Sequence, residues 1–361
     1  MTTTQPRRIG FKRWVVIGLI VLGGYLAFGA RGIFAPVSPA VVLAPEPFWP
    51  GVYLLPAIPP ILPEPTPFTN TFLAILITDL VLFVIAFGAY RFVQGGQRVP
   101  RGFYNFFEVL VEFLWNLTES TAGKWAKRMF PVVATIFLLV FTANMIKLLP
   151  GFESIGYLEP AHGSIKGYAP VQLFGGVYAI DGTQPVEHAA EAEGGEGEGG
   201  HEAALCTSCT VVPFLRATAT DLNFTFALAV VAVVMTQVFG WRALGAKYFQ
   251  KFINLNTLIS KPLFGVIDFG VGLLELVSEI AKILSFGFRL FGNIFAGALL
   301  LAILGSLTAI VVPSMLYGLE LFVGTIQAYV FAMLTLTFMS QATVSHHGDE
   351  PHAEHAAEGA H

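Results

Sequence analysis

The sequence predicts an all-α protein with five or six membrane-spanning helices and one further amphipathic helix lying along the membrane surface. Of its 361 residues, 55% are hydrophobic and only 12% are charged, a composition typical of proteins that cross the lipid bilayer several times. Apolar runs long enough to span the hydrocarbon layer recur along the chain. The last two, 263–304 and 314–342, predict a long C-terminal helical hairpin. The formal net charge of −4 argues against nucleic acid as a partner.

The first 69 residues precede the predicted membrane domain and form two segments. In residues 1–30, four basic residues are followed by the apolar run 14–29. Both a cleaved signal peptide and a retained anchor fit this pattern, because the run is short for a span. Residues 31–69 are predicted to be external. Their Pro-rich part, 35–67, favours an extended chain over a packed domain.

A membrane domain is predicted over residues 70–343, beginning with a span at about 70–92. Residues 100–128 differ from the spans, because apolar side chains recur on one helical face while glutamates lie elsewhere. This pattern predicts an amphipathic helix at the membrane interface, with a soluble helix packed on a partner as the alternative. The apolar positions are Phe103, Phe107, Leu110, Leu114 and Leu117, and the glutamates are Glu108, Glu112 and Glu119.

Two further spans, at about 130–149 and 222–243, flank an external loop insertion at 150–212. The acidic stretch 187–204 within this insertion has too few apolar residues to build a core. It is therefore predicted to be mobile.

Two segments contain residues that can bind metals. The pair Cys206 and Cys209 could be redox-active or bind a metal, but it supplies too few ligands for a closed zinc site. An external location favours an ordinary local disulfide. The tail 344–361 carries five of the eight histidines, without regular spacing and among acidic residues, so a disordered cytoplasmic tail is favoured over a metal site. Neither a metal site nor a cofactor is predicted.

The run 263–304 contains a row of polar and charged residues within an otherwise apolar sequence. Its members recur every three or four positions and therefore share one helical face. They are Glu275, Ser278, Glu279, Lys282, Ser285, Arg289 and Asn293. Inside a bilayer each charge costs about 3 kcal/mol or more unless it meets a partner or water. A helix that gathers them on one face is predicted to line an ion path.

The same run would be about 60 Å long as one helix, roughly twice the hydrocarbon thickness. It contains no proline, which favours a continuous tilted helix over a broken one. Strong tilt is costly unless a curved protein surface runs alongside the helix.

Arg289 is the central candidate in this row. Its guanidinium holds a fixed positive charge, which can force a neighbouring carboxylate to ionise and repel protons that would pass directly. Asn293 lies one turn further on and can hold water or a partner side chain. Glu279 and Lys282 could line the path or could form an internal pair with only a structural role.

The last helix offers a matching face, because Glu320, Gly324 and Gln327 are spaced by four and three residues. The segments predicted to be cytoplasmic carry 14 basic residues and the external ones carry 4, so both termini are cytoplasmic if the N-terminal segment is retained. Glu320 then lies toward the external surface, and Gln327 lies deeper, near the level of Arg289. Carboxylates on both sides of an arginine suggest two aqueous half-paths that do not meet.

Four stretches of the chain resemble subunit a of the F-type ATP synthase. The most specific are SFGFRLFGNIFAG at 285–297 and IQAYVFAMLTLTFMS at 326–340. PFLRATATDLNFTFALA at 213–229 and PRGFYNFFEVLVEF at 100–113 support them. The likeness covers most of residues 70–343 in the expected order.

The resemblance implies a non-catalytic stator subunit that carries protons past a rotor and makes no ATP by itself. It implies a long hairpin tilted against a ring of c subunits. It also implies b-type peripheral stalk subunits and the remainder of the ATP synthase as partners, in the lipid bilayer of a bacterial inner (plasma) membrane. In this family the arginine matching Arg289 faces the ring's carboxylates and separates an entry channel from an exit channel.

The resemblance also extends to other polar positions. Asn293 and Gln327 match polar residues beside the arginine, and Glu275 matches the acidic residue of the cytoplasmic half-channel. Asp79 and Asp221 match acidic positions in the first span and before the fourth helix, although Asp221 could equally be a helix cap and Asp79 a buried group bonded to a neighbour. The predicted proton-translocating residues are Arg289, Asn293, Glu275, Glu279, Glu320 and Gln327, with Asp79, Asp221, Lys282 and Ser278 as secondary candidates.

One position departs from several relatives. They carry a carboxylate nine residues after the arginine, where this chain has Ala298, and a carboxylate occurs instead at Glu320. We predict that the proton-handling group of the external half-channel has moved to the facing helix.

A secondary ion-coupled transporter with a mid-membrane site is the alternative function. Such a protein would show an internal repeat with paired broken helices, whereas the motif RLFGN occurs once. The sequence favours protons over sodium as the coupling ion without deciding between them, because the ring's ion site is on another chain.

Overall fold

The computed structural model is mostly helical. It describes residues 18, 21, 45–49, 51–57, 65–95, 102–149, 151–161, 167–174, 177–186, 206, 208–245, 248–249, 252, 262–307 and 311–344. Almost all of the predicted N-terminal segment, all of the acidic stretch and the tail from residue 345 lie outside these residues. The helices are α1 (Asn70–Gln94), α2 (Phe103–Ala122), α3 (Ala126–Ile146), α4 (Leu222–Leu244), α5 (Pro262–Leu307) and α6 (Val311–Ala342).

Five stretches of the described chain are long and apolar enough to cross a membrane. They are Asn70–Phe92, Phe103–Ile146, Leu222–Leu244, Phe269–Gly305 and Val312–Ala342. This pattern confirms the prediction of an all-α multi-spanning membrane protein.

The long helix α5 contains 46 residues without interruption, which corresponds to a length of about 69 Å. The prediction of one continuous helix is therefore confirmed, and its tilt in the bilayer stays a prediction.

The amphipathic helix is shorter than the sequence predicted. It ends at Ala122 because Gly123 adopts a positive φ of 50° and its amide N–H bonds to the carbonyl of Glu119, a helix-ending conformation that glycine adopts readily. A short 3-10 turn, Gly123–Trp125, then leads into α3, so Lys127 and Arg128 belong to the next helix.

The chain divides into two compact units. The first comprises Met1–Tyr90, Leu138–Thr225 and Arg289–Ala328. The second comprises Arg91–Phe137, Phe226–Phe288 and Tyr329–His361.

The first unit contains strands that the sequence analysis did not predict. Strands β1 (Tyr53–Leu55) and β2 (Thr66–Pro67) form an antiparallel pair. A four-stranded antiparallel sheet in the order β3-β6-β4-β5 is built from the loop insertion. Its strands are β3 (Gly156–Pro160), β4 (Gly167–Phe174), β5 (Val177–Val186) and β6 (Cys209–Pro213). We call these six strands the β module.

Aromatic packing stabilises the β module, which also contains one local disulfide. Phe214 lies 5.6 Å from Phe48 and 6.1 Å from Tyr157, measured between ring centroids, so the part of the Pro-rich segment around Phe48 packs against the loop insertion. Cys206 and Cys209 form the predicted local disulfide, and Cys209 is fully buried within β6.

The second unit is centred on aromatic residues of α5 and α6. Phe286 is buried and its ring lies 4.9 Å from that of Phe331 and 5.7 Å from that of Phe338. In α2, Leu114 is buried while the three glutamates are exposed, which confirms the two-faced character of this helix. Its location at a membrane interface stays a prediction.

Candidate functional site

The first unit brings together polar residues from α5 and α6. The side-chain amide of Asn293 donates a hydrogen bond to Oε1 of Gln327 at 2.6 Å. Gln327 is only 3% exposed, and its Nε2 has no hydrogen-bond partner among the described residues. Arg289, half-buried, lies one turn before Asn293 on the same helix. The two polar faces predicted from spacing therefore meet at this point.

A close contact joins α3 and α6 about one turn before Gln327. The amide of Asn144 donates to the carbonyl of Gly324 at 3.0 Å, and Asn144 is 2% exposed. A Cβ added at Gly324 would lie 3.0 Å from the Cβ of Asn144. Glycine at this position therefore permits an approach of the two backbones that any side chain would obstruct. The contact of Asn144 was not predicted, because its sequence position is that of an ordinary polar residue near the end of a span.

Glu320 has a partner that sequence reasoning missed. Its Oε1 lies 2.5 Å from Nζ of Lys147, and the two side chains are 10% and 5% exposed. Lys147 directly follows α3 in the run IKLLP. By sequence Lys147 counts only as an external basic residue, although a lysine at the end of an apolar span was the available signal.

A cavity of about 50 Å³ adjoins this ion pair. Lys147 and Glu320 line it together with Ala298, Glu153 and Tyr317. The two positions that the sequence analysis compared, Ala298 and Glu320, therefore line the same cavity.

The second unit contains a separate polar cluster on α5. Nζ of Lys282 lies 3.0 Å from Oε1 of Glu279 and 4.9 Å from the ring centroid of Phe338. Glu279 is 6% exposed, so the pair that the sequence left open does form. Glu275 and Ser278 are half-buried.

The two aspartates among the secondary candidates differ in their surroundings. Asp221 precedes α4, and its Oδ1 accepts the backbone N–H of Asn223 at 2.8 Å while its Oδ2 accepts the hydroxyl of Thr71 at 2.8 Å. The helix-cap alternative therefore describes its geometry. Asp79 is exposed on α1, so the alternative of a buried group bonded to a neighbour does not describe its surroundings.

Two titratable groups in and beside the β module have raised pKa values. Burial raises the pKa of Glu46, an effect that Arg216 opposes and Glu159 reinforces. Burial also raises the pKa of Tyr157 to about 12, with further contributions from the carboxylates of Glu159 and Glu46. The hydroxyl of Tyr157 donates to the carbonyl of Pro47 at 3.0 Å.

The fold and the site define the chain as a multi-pass membrane protein. Its apolar helices carry ion pairs and hydrogen-bonded side-chain amides. The family described as ATP synthase A chain matches residues 71–340, and the chain belongs to this family.

Individual relatives agree with this assignment. ATP synthase subunit a of Campylobacter jejuni subsp. jejuni serotype O:6 is 27% identical over 283 residues, which cover 78% of this chain and 94% of the relative. ATP synthase subunit a of Moorella thermoacetica is 23% identical over 270 residues, covering 74% and 89%. The predicted resemblance to subunit a of the F-type ATP synthase is confirmed. The chain is a membrane-sector subunit of this complex, and it associates with the rest of the ATP synthase.

Proposed function

We propose that this chain is the stator subunit that carries protons to and from the carboxylates of a c-ring through two offset aqueous half-channels. The observation that carries the proposal is the 2.6 Å bond between Asn293 and Gln327, one turn from Arg289. It joins the polar faces of α5 and α6 beside a permanently charged guanidinium. Such a charge within an apolar helix is usually functional rather than structural.

The two polar clusters have separate roles in this proposal. Glu320, beside its cavity, handles protons of the external half-channel. Glu275 and Glu279, with Ser278 and Lys282 nearby, belong to the cytoplasmic half-channel. Arg289 keeps the two paths apart and releases the proton from each arriving ring carboxylate by favouring its ionised form.

An exposed apolar row on α5 supports the lipid bilayer as one of the partners. Leu273, Val277, Ile280 and Leu284 are each between 45% and 54% exposed, and their spacing of four, three and four residues places them on one face. The row lies on the opposite side of α5 from Arg289, so we assign it to lipid. We assign the face that carries Arg289 to a ring of c subunits, and further contacts to b-type peripheral stalk subunits. The chain itself is non-catalytic.

The excess of basic residues in three segments supports an orientation with both termini in the cytoplasm, if the N-terminal segment is retained. We place the protein in a bacterial inner membrane. In this orientation the β module is external, where an oxidising environment permits the disulfide.

The substitution Arg289→Ala tests the proposal in the whole complex, purified and reconstituted into vesicles. ATP-driven acidification should be lost while the complex remains assembled, and passive proton flux should rise because the barrier between the half-channels is removed. Arg242→Ala is a matched control, since Arg242 is an exposed arginine in the last turn of α4. Normal acidification with Arg289→Ala would refute the proposed role of the polar row.

A further inference from the structure

The ion pair between Lys147 and Glu320 is more buried than a surface salt bridge. The side chain of Lys147 is 5% exposed and that of Glu320 is 10% exposed, with 2.5 Å between Nζ and Oε1. Two charges are removed from water here, and either charge without the other would be strongly destabilised. An ordinary interfacial lysine would instead extend its ammonium group into water.

The neighbouring cavity connects this pair to more exposed groups. Glu153, Ser154 and Tyr317 line the cavity and are exposed residues, whereas Lys147 and Glu320 lie at its buried end. A volume of about 50 Å³ accommodates about three or four water molecules. The cavity can therefore bring water to the Glu320 carboxylate.

The titratable groups that line the cavity come from three segments. Lys147 follows α3, Glu153 lies in the loop beyond it, and Glu320 and Tyr317 lie on α6. Helix α5 contributes the uncharged Ala298 and Leu301. Oε1 of Glu153 accepts the backbone N–H of Ala217 at 3.0 Å, so this carboxylate is held in place. The cavity thus contains one ammonium and two carboxylates.

This charge balance changes when Glu320 takes up a proton. A hydronium ion in the cavity gives its proton to the Glu320 carboxylate and becomes water, and the reverse transfer returns the proton to a water molecule. After uptake the ammonium of Lys147 still shares the cavity with the carboxylate of Glu153. Proton uptake therefore leaves the cavity neutral, and proton release restores the ion pair with Glu320.

We propose that Lys147 is a positioning residue that holds Glu320 at the cavity and re-forms an ion pair with it each time Glu320 releases a proton to the external side. The pair is buried, so an ionised Glu320 without this partner would be strongly destabilised. This inference rests on the proposed function of Glu320. The inference gives Lys147 a role in proton release although Lys147 does not itself carry the proton.

Lys147→Met, Lys147→Gln and Lys147→Arg test this role in the whole complex, reconstituted so that ATP drives protons from the ring to the external side, into the vesicle lumen. Without the ammonium, the ionised Glu320 left after proton release would have no partner, and pumping against an acidic lumen should stall. The limiting pH difference should therefore shrink in Lys147→Met. Lys147→Arg keeps the charge and should restore the wild-type limit.

The Lys147→Gln variant keeps hydrogen-bonding capacity while removing the charge, so it gives the same comparison if Lys147→Met does not assemble. ATP hydrolysis by each purified complex serves as the assembly control. An unchanged limiting pH difference in Lys147→Met or Lys147→Gln overturns the inference, as does failure of assembled Lys147→Arg to restore it.

Glu320→Gln separates this inference from the function on which it rests. Pumping should be lost in Glu320→Gln, because the amide cannot carry the proton. Normal pumping would overturn both the role of Glu320 and that of Lys147. Lost pumping in Glu320→Gln, combined with an unchanged limit in the neutral Lys147 variants, would overturn the role of Lys147 alone.

Discussion

Replacement of Gly324 by alanine should weaken the packing of α6 against α3 within the first unit. The added Cβ would lie 3.0 Å from the Cβ of Asn144. That atom is fixed to its own backbone and cannot rotate away, so the two helices must separate by a few tenths of an ångström. Overpacking of this kind costs about 1–3 kcal/mol. Weakening the hydrogen bond from Asn144 to the Gly324 carbonyl adds about 1 kcal/mol.

Gly318 provides a matched control on the same helix, since a Cβ added there has no atom within 4 Å. Alanine improves intrinsic helix propensity at both positions, and this gain cancels when the two variants are compared. Gly324→Ala should therefore be about 2–4 kcal/mol less stable than Gly318→Ala. Reversible unfolding of the purified chain in mixed micelles, followed by helical circular dichroism, measures the difference.

Equal stability of the two alanine variants would refute the argument that glycine is required for close approach. Gly324 lies one turn after Glu320 and three residues before Gln327. A separation of the helices should therefore also reduce ATP-driven proton pumping in Gly324→Ala, whereas Gly318→Ala should pump normally.

Further predictions concern Asp221 and Tyr157 of the β module. Asp221→Ala should lower stability by about 1–3 kcal/mol in the same unfolding assay, because it removes a helix cap and leaves the buried hydroxyl of Thr71 without its acceptor. Asp221→Asn, which can still cap, should pump normally, and a pumping defect in a stable Asp221→Asn complex would show that the carboxylate handles protons. Tyr157 should ionise near pH 12 in an ultraviolet absorbance titration, with Tyr157→Phe identifying its contribution. The pKa of Tyr157 in the folded protein lies above the usual value of 10. The stability that its protonated hydroxyl contributes to the β module is therefore fully present below pH 10 and is lost as the pH rises through 12. A titration midpoint near pH 10 would contradict the burial argument.

Local sequence patterns predicted the membrane helices, the family and the polar faces of α5 and α6. Hydropathy predicted the membrane helices, because an apolar run of sufficient length has few other stable conformations. The absence of proline predicted that α5 is continuous, and the motifs around Arg289 predicted the family. The spacing of Asn293 on α5 and of Gln327 on α6 placed each on a polar face. These are properties of a single helix, so neighbouring residues in the sequence suffice to specify them.

The partners of these residues were decided only by the tertiary structure. Lys147 and Glu320 are 173 positions apart, and Thr71 and Asp221 are 150 apart, so no local period relates them. The pairing of β3 with β6 likewise joins strands separated by a long acidic stretch. Each such contact depends on how distant segments pack and on which polar groups are thereby removed from water. Sequence spacing placed Glu320 on a polar face, and packing alone placed an ammonium beside it.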